Sequence, residues 1–322
     1  MKKPLYIVLG FLLLLGIFSC DTIKKEKKIV IINLMQHPVL DSIQAQTKSY
    51  LLRNNYDKAH NYIIIEKNLL GQKELLSTVV NEVVSENPEI IIAITTPVAQ
   101  AVIKKAKCPV VFSVVTDPVE AGIMDSINQT LPLITGTSDV FPYEKQIKLI
   151  KAIHPNSKNV GMVYDPGEAA SRFALRELQK ICPKYGLELI IKPVTSVVEI
   201  PIAARSLYGK ADVIFVSSDN TVIAGVSALV SFCIKNKIPL YVGETGSVEK
   251  GGIATCSVSY GSFGEATGRL AAQLLSGKRN IPIYIPSEFE TVINMKAASM
   301  MGVTIPENIL STANIVYTEI KK

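Results

Sequence analysis

The chain has 322 residues, 48% hydrophobic and 19% charged, with a formal net charge of +6. Its length suits two domains of ordinary size. The charge is mild and no basic block is interleaved with aromatic residues, which excludes an extended nucleic-acid surface and leaves a small molecule as the expected partner.

The first twenty residues read MKKPLYIVLGFLLLLGIFSC. Lys2 and Lys3 precede an apolar run from Pro4 to Phe18. That run is shorter than the roughly 20 residues of a membrane span and suits the core of a signal peptide. It ends in Ile17-Phe18-Ser19-Cys20, which resembles the box of bacterial lipoproteins, although Phe18 departs from the small or polar residue usual there. Residues 1–20 are therefore expected to be a lipoprotein signal peptide, with Cys20 lipidated. Residues 21–28, ending KKEKK, read as a tether. The body would then lie outside the cytoplasm, anchored to the membrane through Cys20. It carries Cys108, Cys182, Cys233 and Cys256, with no CxxC pair and mostly apolar neighbours. Buried free thiols are expected rather than disulfides.

From Lys28 onward, buried-type strands alternate with helical patterns. Strands are expected at 28–34, 62–66, 89–94, 110–115, 159–164, 188–192, 212–216, 240–242 and 253–257. Helical spacing is clearest in LLSTVVNEVV (75–84) and FALRELQKIC (173–182). Such alternation predicts an α/β fold of parallel sheets covered by helices. The pattern runs twice, joined by a linking helix over 144–153. The expectation is two doubly wound lobes: 29–139 plus about 251–284, and 140–250 plus about 285–322. A cleft would lie between their strand ends, where ligands of such sheets bind.

Those strand ends are polar. They supply Gln36 and His37; Thr95 and Thr96; Thr116 and Asp117; Ser138 and Asp139; Tyr164, Glu168 and Ser171; Ser218, Asp219 and Asn220; Glu244 and Thr245. The Ser, Thr and Asp residues among them also suit helix N-caps, so any one of these has a structural alternative. Seven such clusters on one edge point to a binding site. Motifs for nucleophilic catalysis, phosphate loops and metal clusters are missing. The site is rich in hydrogen-bonding groups and poor in activated nucleophiles. Binding without catalysis, cofactor or metal is the expectation.

Four stretches carry a family resemblance: VVFSVVTDPVEAG (110–122), ITGTSDVFPYEKQIKLIKAIHPNSKNVGMVYDP (134–166), ADVIFVSSDNTV (211–222) and ETVINMKAASMMGV (290–303). They resemble the substrate-binding proteins of ABC importers with the periplasmic binding protein type I fold, and among them the TrpX-like family of tryptophan and aromatic amino-acid binders. The resemblance implies a monomeric receptor that closes over its ligand and docks on membrane permease subunits. The segment Asp165 to Ser171 departs from the family pattern by lacking an amide and a hydroxyl. A same-fold sensor for a membrane signalling protein and an exported α/β enzyme stay open as alternatives.

A free amino acid is a zwitterion. Thr95, Thr96, Thr116 and Ser138 offer donors for its carboxylate. Asp117, Asp139 and Asp219 are candidate partners for its ammonium, and Asp219 is the expected one, with Asn220 and Ser218 completing its hydrogen bonds. Capping of the helix that follows is the competing role for Asp219. Phe141, Tyr143, Tyr164 and Tyr260 could flank an apolar or aromatic side chain.

Overall fold

The computed structural model describes residues 26–321. The expected signal peptide, Cys20 and residues 21–25 of the tether lie outside that range. Among the described residues no helix is long and apolar enough to cross a membrane.

Lobe 1 is built in chain order from β1 (Lys27–Asn33), α1 (Pro38–Arg53), β2 (Tyr62–Asn68), α2 (Leu76–Ser85), β3 (Ile90–Ile94), α3 (Thr96–Ile103), β4 (Val110–Ser113) and β5 (Ile134–Gly136). Its strands form one parallel sheet in the order β2-β1-β3-β4-β5. The apolar runs of β1 and β3 are covered by helices on both faces; every residue of β3 is buried. The strand expected over 110–115 stops at Ser113, because Val114 takes φ +50 and breaks the ladder.

Lobe 2 follows with α4 (Tyr143–Ile153), β6 (Asn159–Tyr164), α5 (Ala169–Ile181), β7 (Glu188–Pro193), α6 (Ile200–Leu207), β8 (Val213–Val216), α7 (Asn220–Ala224), α8 (Val226–Asn236), β9 (Leu240–Val242), α9 (Thr245–Glu249) and β10 (Ala254–Val258). The sheet β7-β6-β8-β9 is parallel. Helix α10 (Phe263–Leu275) then returns to lobe 1. The chain ends in lobe 2 with β11 (Phe289–Asn294), α11 (Met295–Met301), α12 (Glu307–Leu310) and β12 (Ile315–Tyr317). Strand β11 pairs antiparallel with β10 and parallel with β12.

The return to lobe 1 comes later than the expected residue 251. Ile253 N–H donates to Leu240 O (2.7 Å) and Gln146 Nε2 donates to Thr255 Oγ1 (2.7 Å), so β10 is held inside lobe 2. The crossing falls at 259–262. Two further crossings lie at 140–142 and 285–288. Tyr284 ties the first to the third: its N–H donates to Gly136 O (2.8 Å) and its carbonyl accepts from Ser138 N (2.9 Å).

Helix α10 packs on α1 almost backbone to backbone. A Cβ at Gly264 would sit 2.4 Å from Gln46 Cβ, and one at Gly268 would sit 2.7 Å from Tyr50 Cβ. In that close contact Thr47 Oγ1 donates to Gly264 O (3.1 Å). The four cysteines among the described residues are free, with Cys182 and Cys233 buried and Cys108 and Cys256 half-buried.

Candidate functional site: the cleft between the lobes

Parallel topology carries the ends of β1, β3, β4 and β5 to the edge of lobe 1 that faces lobe 2. The ends of β8 and β9 come to the opposing edge. Between them lies a narrow cavity lined by both lobes. Lobe 1 lines it with Thr95, Thr96, Thr116 and Asp139, lobe 2 with Ser218, Asn220 and Glu244. His37 and Tyr260 contribute rings. No lysine or arginine is among the described lining residues.

Two lining residues hold strained backbone. Thr95 (φ +87) and Val114 (φ +50) are both β-branched and sit in the left-handed region. Such outliers persist where the surroundings over-determine them, and they concentrate at ligand sites. Thr95 precedes α3, yet its side chain makes no cap hydrogen bond. Its buried Oγ1 has no partner.

Asp139 is the carboxylate turned into the cavity. Tyr260 Oη donates to Oδ2 (2.9 Å), while the buried Oδ1 has no partner. Burial pushes the Asp139 carboxyl up to about 6; the Tyr260 and Thr116 hydroxyls oppose this and the charge of Glu244 adds to it. Glu244 is already occupied: it caps α9, accepting Gly246 N–H on Oε2 (2.6 Å) and Ser247 N–H on Oε1 (2.8 Å). His37 Nε2 lies 3.6 Å from Glu244 Oε1 across the interlobe seam, without a hydrogen bond. Burial lowers the His37 imidazole below its ordinary value, against the charge of Glu244. Thr116 and Ser218 hydroxyls meet across the cleft at 3.1 Å.

The structure separates the other sequence candidates from the cavity. Asp219 is fully buried: Oδ1 accepts Val222 N–H (3.0 Å), and Oδ2 accepts Asp165 N–H (2.5 Å) and Ser171 Oγ–H (2.6 Å). Its carboxylate is spent within lobe 2, so the expected ligand partner turns out to be a cap, and Ser171 serves it. Asp117 likewise caps its own turn through Val119 and Glu120 N–H. Ser138 donates to Thr116 O (3.0 Å). Glu168 faces Asn220 and Thr221 rather than the cavity. Gln36 is exposed at the outer mouth of the cleft, and Thr245 borders a neighbouring surface groove. Tyr164 is half-buried against the core. Phe141 packs on Tyr143, and Tyr143 on Phe173, instead of lining the cavity. Sequence reasoning missed Met35, Val39, Leu40 and Ile223, which form the apolar wall and carry no signal beyond a core-like side chain.

The chain matches the family of ABC transporter substrate binding proteins over residues 28–317. It belongs to that family. A curated relative from Clostridioides difficile (strain R20291), named a tyrosine-binding protein, is 32% identical over 300 residues, covering 91% of this chain and 85% of that one. An ABC domain from Streptococcus pneumonia solved in complex with L-Trp is 31% identical, with a TM-score of 0.86 and coverage of 91% and 100%. The ligand-free, open structure of a substrate-binding protein from Clostridium difficile is 28% identical at the same coverage, with a TM-score of 0.67. This substrate-binding protein thus superposes better on the L-Trp complex than on the open relative. That agrees with the direct contacts between its lobes. Its two parallel-sheet lobes are those of periplasmic binding protein type I.

Proposed function

We propose that this protein is the extracytoplasmic receptor of an ABC importer for an amino acid with an aromatic or large apolar side chain. The observation that carries the reading is a buried carboxylate oxygen, Asp139 Oδ1, left without a partner among the described residues in a cavity that no described lysine or arginine lines. A buried charge of this kind calls for a cation from the ligand. The ligand ammonium fits Asp139. Its carboxylate fits the free Thr95 hydroxyl and the start of α3, where unpaired N–H groups favour an anion. The side chain would lie on Met35, Val39, Leu40, Val114 and Ile223 beside the Tyr260 ring. The L-Trp and tyrosine in the relatives' names support this ligand class.

The leader supports export and a lipid anchor on Cys20, and the family supports delivery to permease subunits. The test is calorimetric titration of residues 26–322 with the twenty amino acids. L-tryptophan or L-tyrosine should bind, and acidic, basic and small ones should not. Binding of a sugar in preference to every amino acid would overturn the reading. Palmitate labelling that is lost in Cys20→Ser checks the anchor.

A further inference from the structure

Outside the cavity, the two lobes are joined by a group that the ligand cannot reach. Lys73 opens the turn before α2 in lobe 1. Its ammonium crosses the seam to lobe 2. There it pairs with the Glu168 carboxylate, meets Thr221 Oγ1 (2.5 Å) and lies 3.4 Å from Asp165 Oδ2. The receiving groups are themselves tied together. Glu168 Oε2 accepts Asn220 N–H (3.0 Å) and Nδ2–H (2.7 Å), and Oε1 accepts Thr221 N–H (3.0 Å). Thr221 Oγ1 lies 2.6 Å from Asp165 Oδ2. Asp219 holds the Asp165 backbone. Three carboxylates thus share one buried basket in lobe 2.

Within lobe 2 every donor described to this basket is a neutral N–H or hydroxyl. Lys73, from the other lobe, is the cation that touches it among the described residues. The side chains of Glu168 and Asp165 are only 5% and 11% exposed, so their charge is poorly screened. Burial would lower the Lys73 ammonium, but the charges of Glu168, Asp165 and Asp219 outweigh it and raise it above the ordinary lysine value. Asp219 itself is pushed up to about 7 by burial and by the charge of Glu168. Asn220 connects the basket to the cavity: it donates twice to Glu168 and also lines the ligand wall.

We infer that Lys73 is a positioning residue for ligand capture: its ammonium neutralises the lobe 2 basket only when the lobes close, and so sets how long the closed receptor holds its ligand. The inference rests on the receptor reading above. A second seam, Glu120 with Arg172 (3.1 Å) and Arg176 (2.5 Å), is a weaker contributor, since both arginines are well exposed.

The test uses L-tryptophan and L-tyrosine as probes in stopped flow, and a double-label distance across the lobes without ligand. Lys73→Met should speed dissociation about tenfold with association nearly unchanged, as loss of one partner of a buried charge pair acts on the off-rate. Ligand-free, it should lower the closed fraction by a similar factor, and Lys73→Arg should restore most of both effects. Raising salt from about 20 mM to about 500 mM should open the wild type more than Lys73→Met. Lys73→Gln, read in the same assays with the same expected outcomes, serves where Lys73→Met fails to fold. Wild-type dissociation and closed fraction in Lys73→Met would overturn the inference. Equal salt responses would also overturn it, assigning closure to the Glu120 seam. If neither amino acid binds the wild type, the ligand reading fails, while the ligand-free distance still decides the role of Lys73.

Discussion

At the scale of single residues, two buried aspartates near the cleft have opposite roles, and the difference is measurable. Asp139→Asn removes the charge that faces the cavity and should weaken amino-acid binding about 30-fold or more, as 2–5 kcal/mol is typical for such a loss. Asp219→Ala should lower the melting temperature by several degrees, since it strips three donors of a buried acceptor at about 1–3 kcal/mol for a group left unpaired. Its affinity should change far less than that of Asp139→Asn. Acidity gives an independent check. The Asp139 carboxyl lies at about 6 without ligand, and an ammonium binds the ionised form. Lowering the pH protonates Asp139, so affinity should hold steady above about pH 7 and fall through 6, with proton release on binding near the midpoint. Titration calorimetry in buffers of different ionisation enthalpy reads both, and a flat profile would move the charge contact away from Asp139. The sequence placed both aspartates at strand ends but could not say which one faces inward. That choice is made by distant partners: Tyr260 supplies one hydroxyl to Asp139, while Ser171 and the Asp165 amide claim Asp219. Lys73 was invisible for the same reason, being a lysine in a polar turn whose acidic partners lie 92 and 95 residues later.

At the scale of elements, long buried strands and amphipathic helices were legible, because their apolar runs are local. Strands β5 and β12 were not. Each has three residues, and β12 is largely exposed, so pairing with a distant strand defines them. Strand β11 is buried only at its C-terminal end and pairs antiparallel with β10, unlike the other strand pairs. The start of α9 makes a sharper point. A Cβ at Gly246 would lie 2.4 Å from His37 Cε1, so the ring of lobe 1 packs against bare backbone of lobe 2. Gly246→Ala should leave the melting temperature of the ligand-free protein nearly unchanged while weakening binding about tenfold or more, because overpacking of about 1–3 kcal/mol arises only when the lobes meet. Equal losses in stability and affinity would place the clash within a lobe instead.

At the scale of the whole molecule, three adjacent crossings join two rigid lobes, a layout suited to rotation about one hinge axis. Small-angle scattering should show a smaller radius of gyration when a bound amino acid is present, and identical profiles with and without it would count against hinge closure. The late return of α10 has a further consequence, for the order in which the protein can fold. The core face of α1 is completed by a helix that begins at Phe263, so lobe 1 stays unfinished until more than two hundred residues of intervening chain have been made. Meanwhile Thr47, fully buried in the finished fold and bonded to Gly264 O, lacks its cover. By placing the last piece of its first lobe late in the sequence, the protein delays a stable lobe 1 until most of the chain has been made. A fragment ending at Val258 should accordingly be protease-sensitive throughout lobe 1, and adding residues 259–285 should restore resistance.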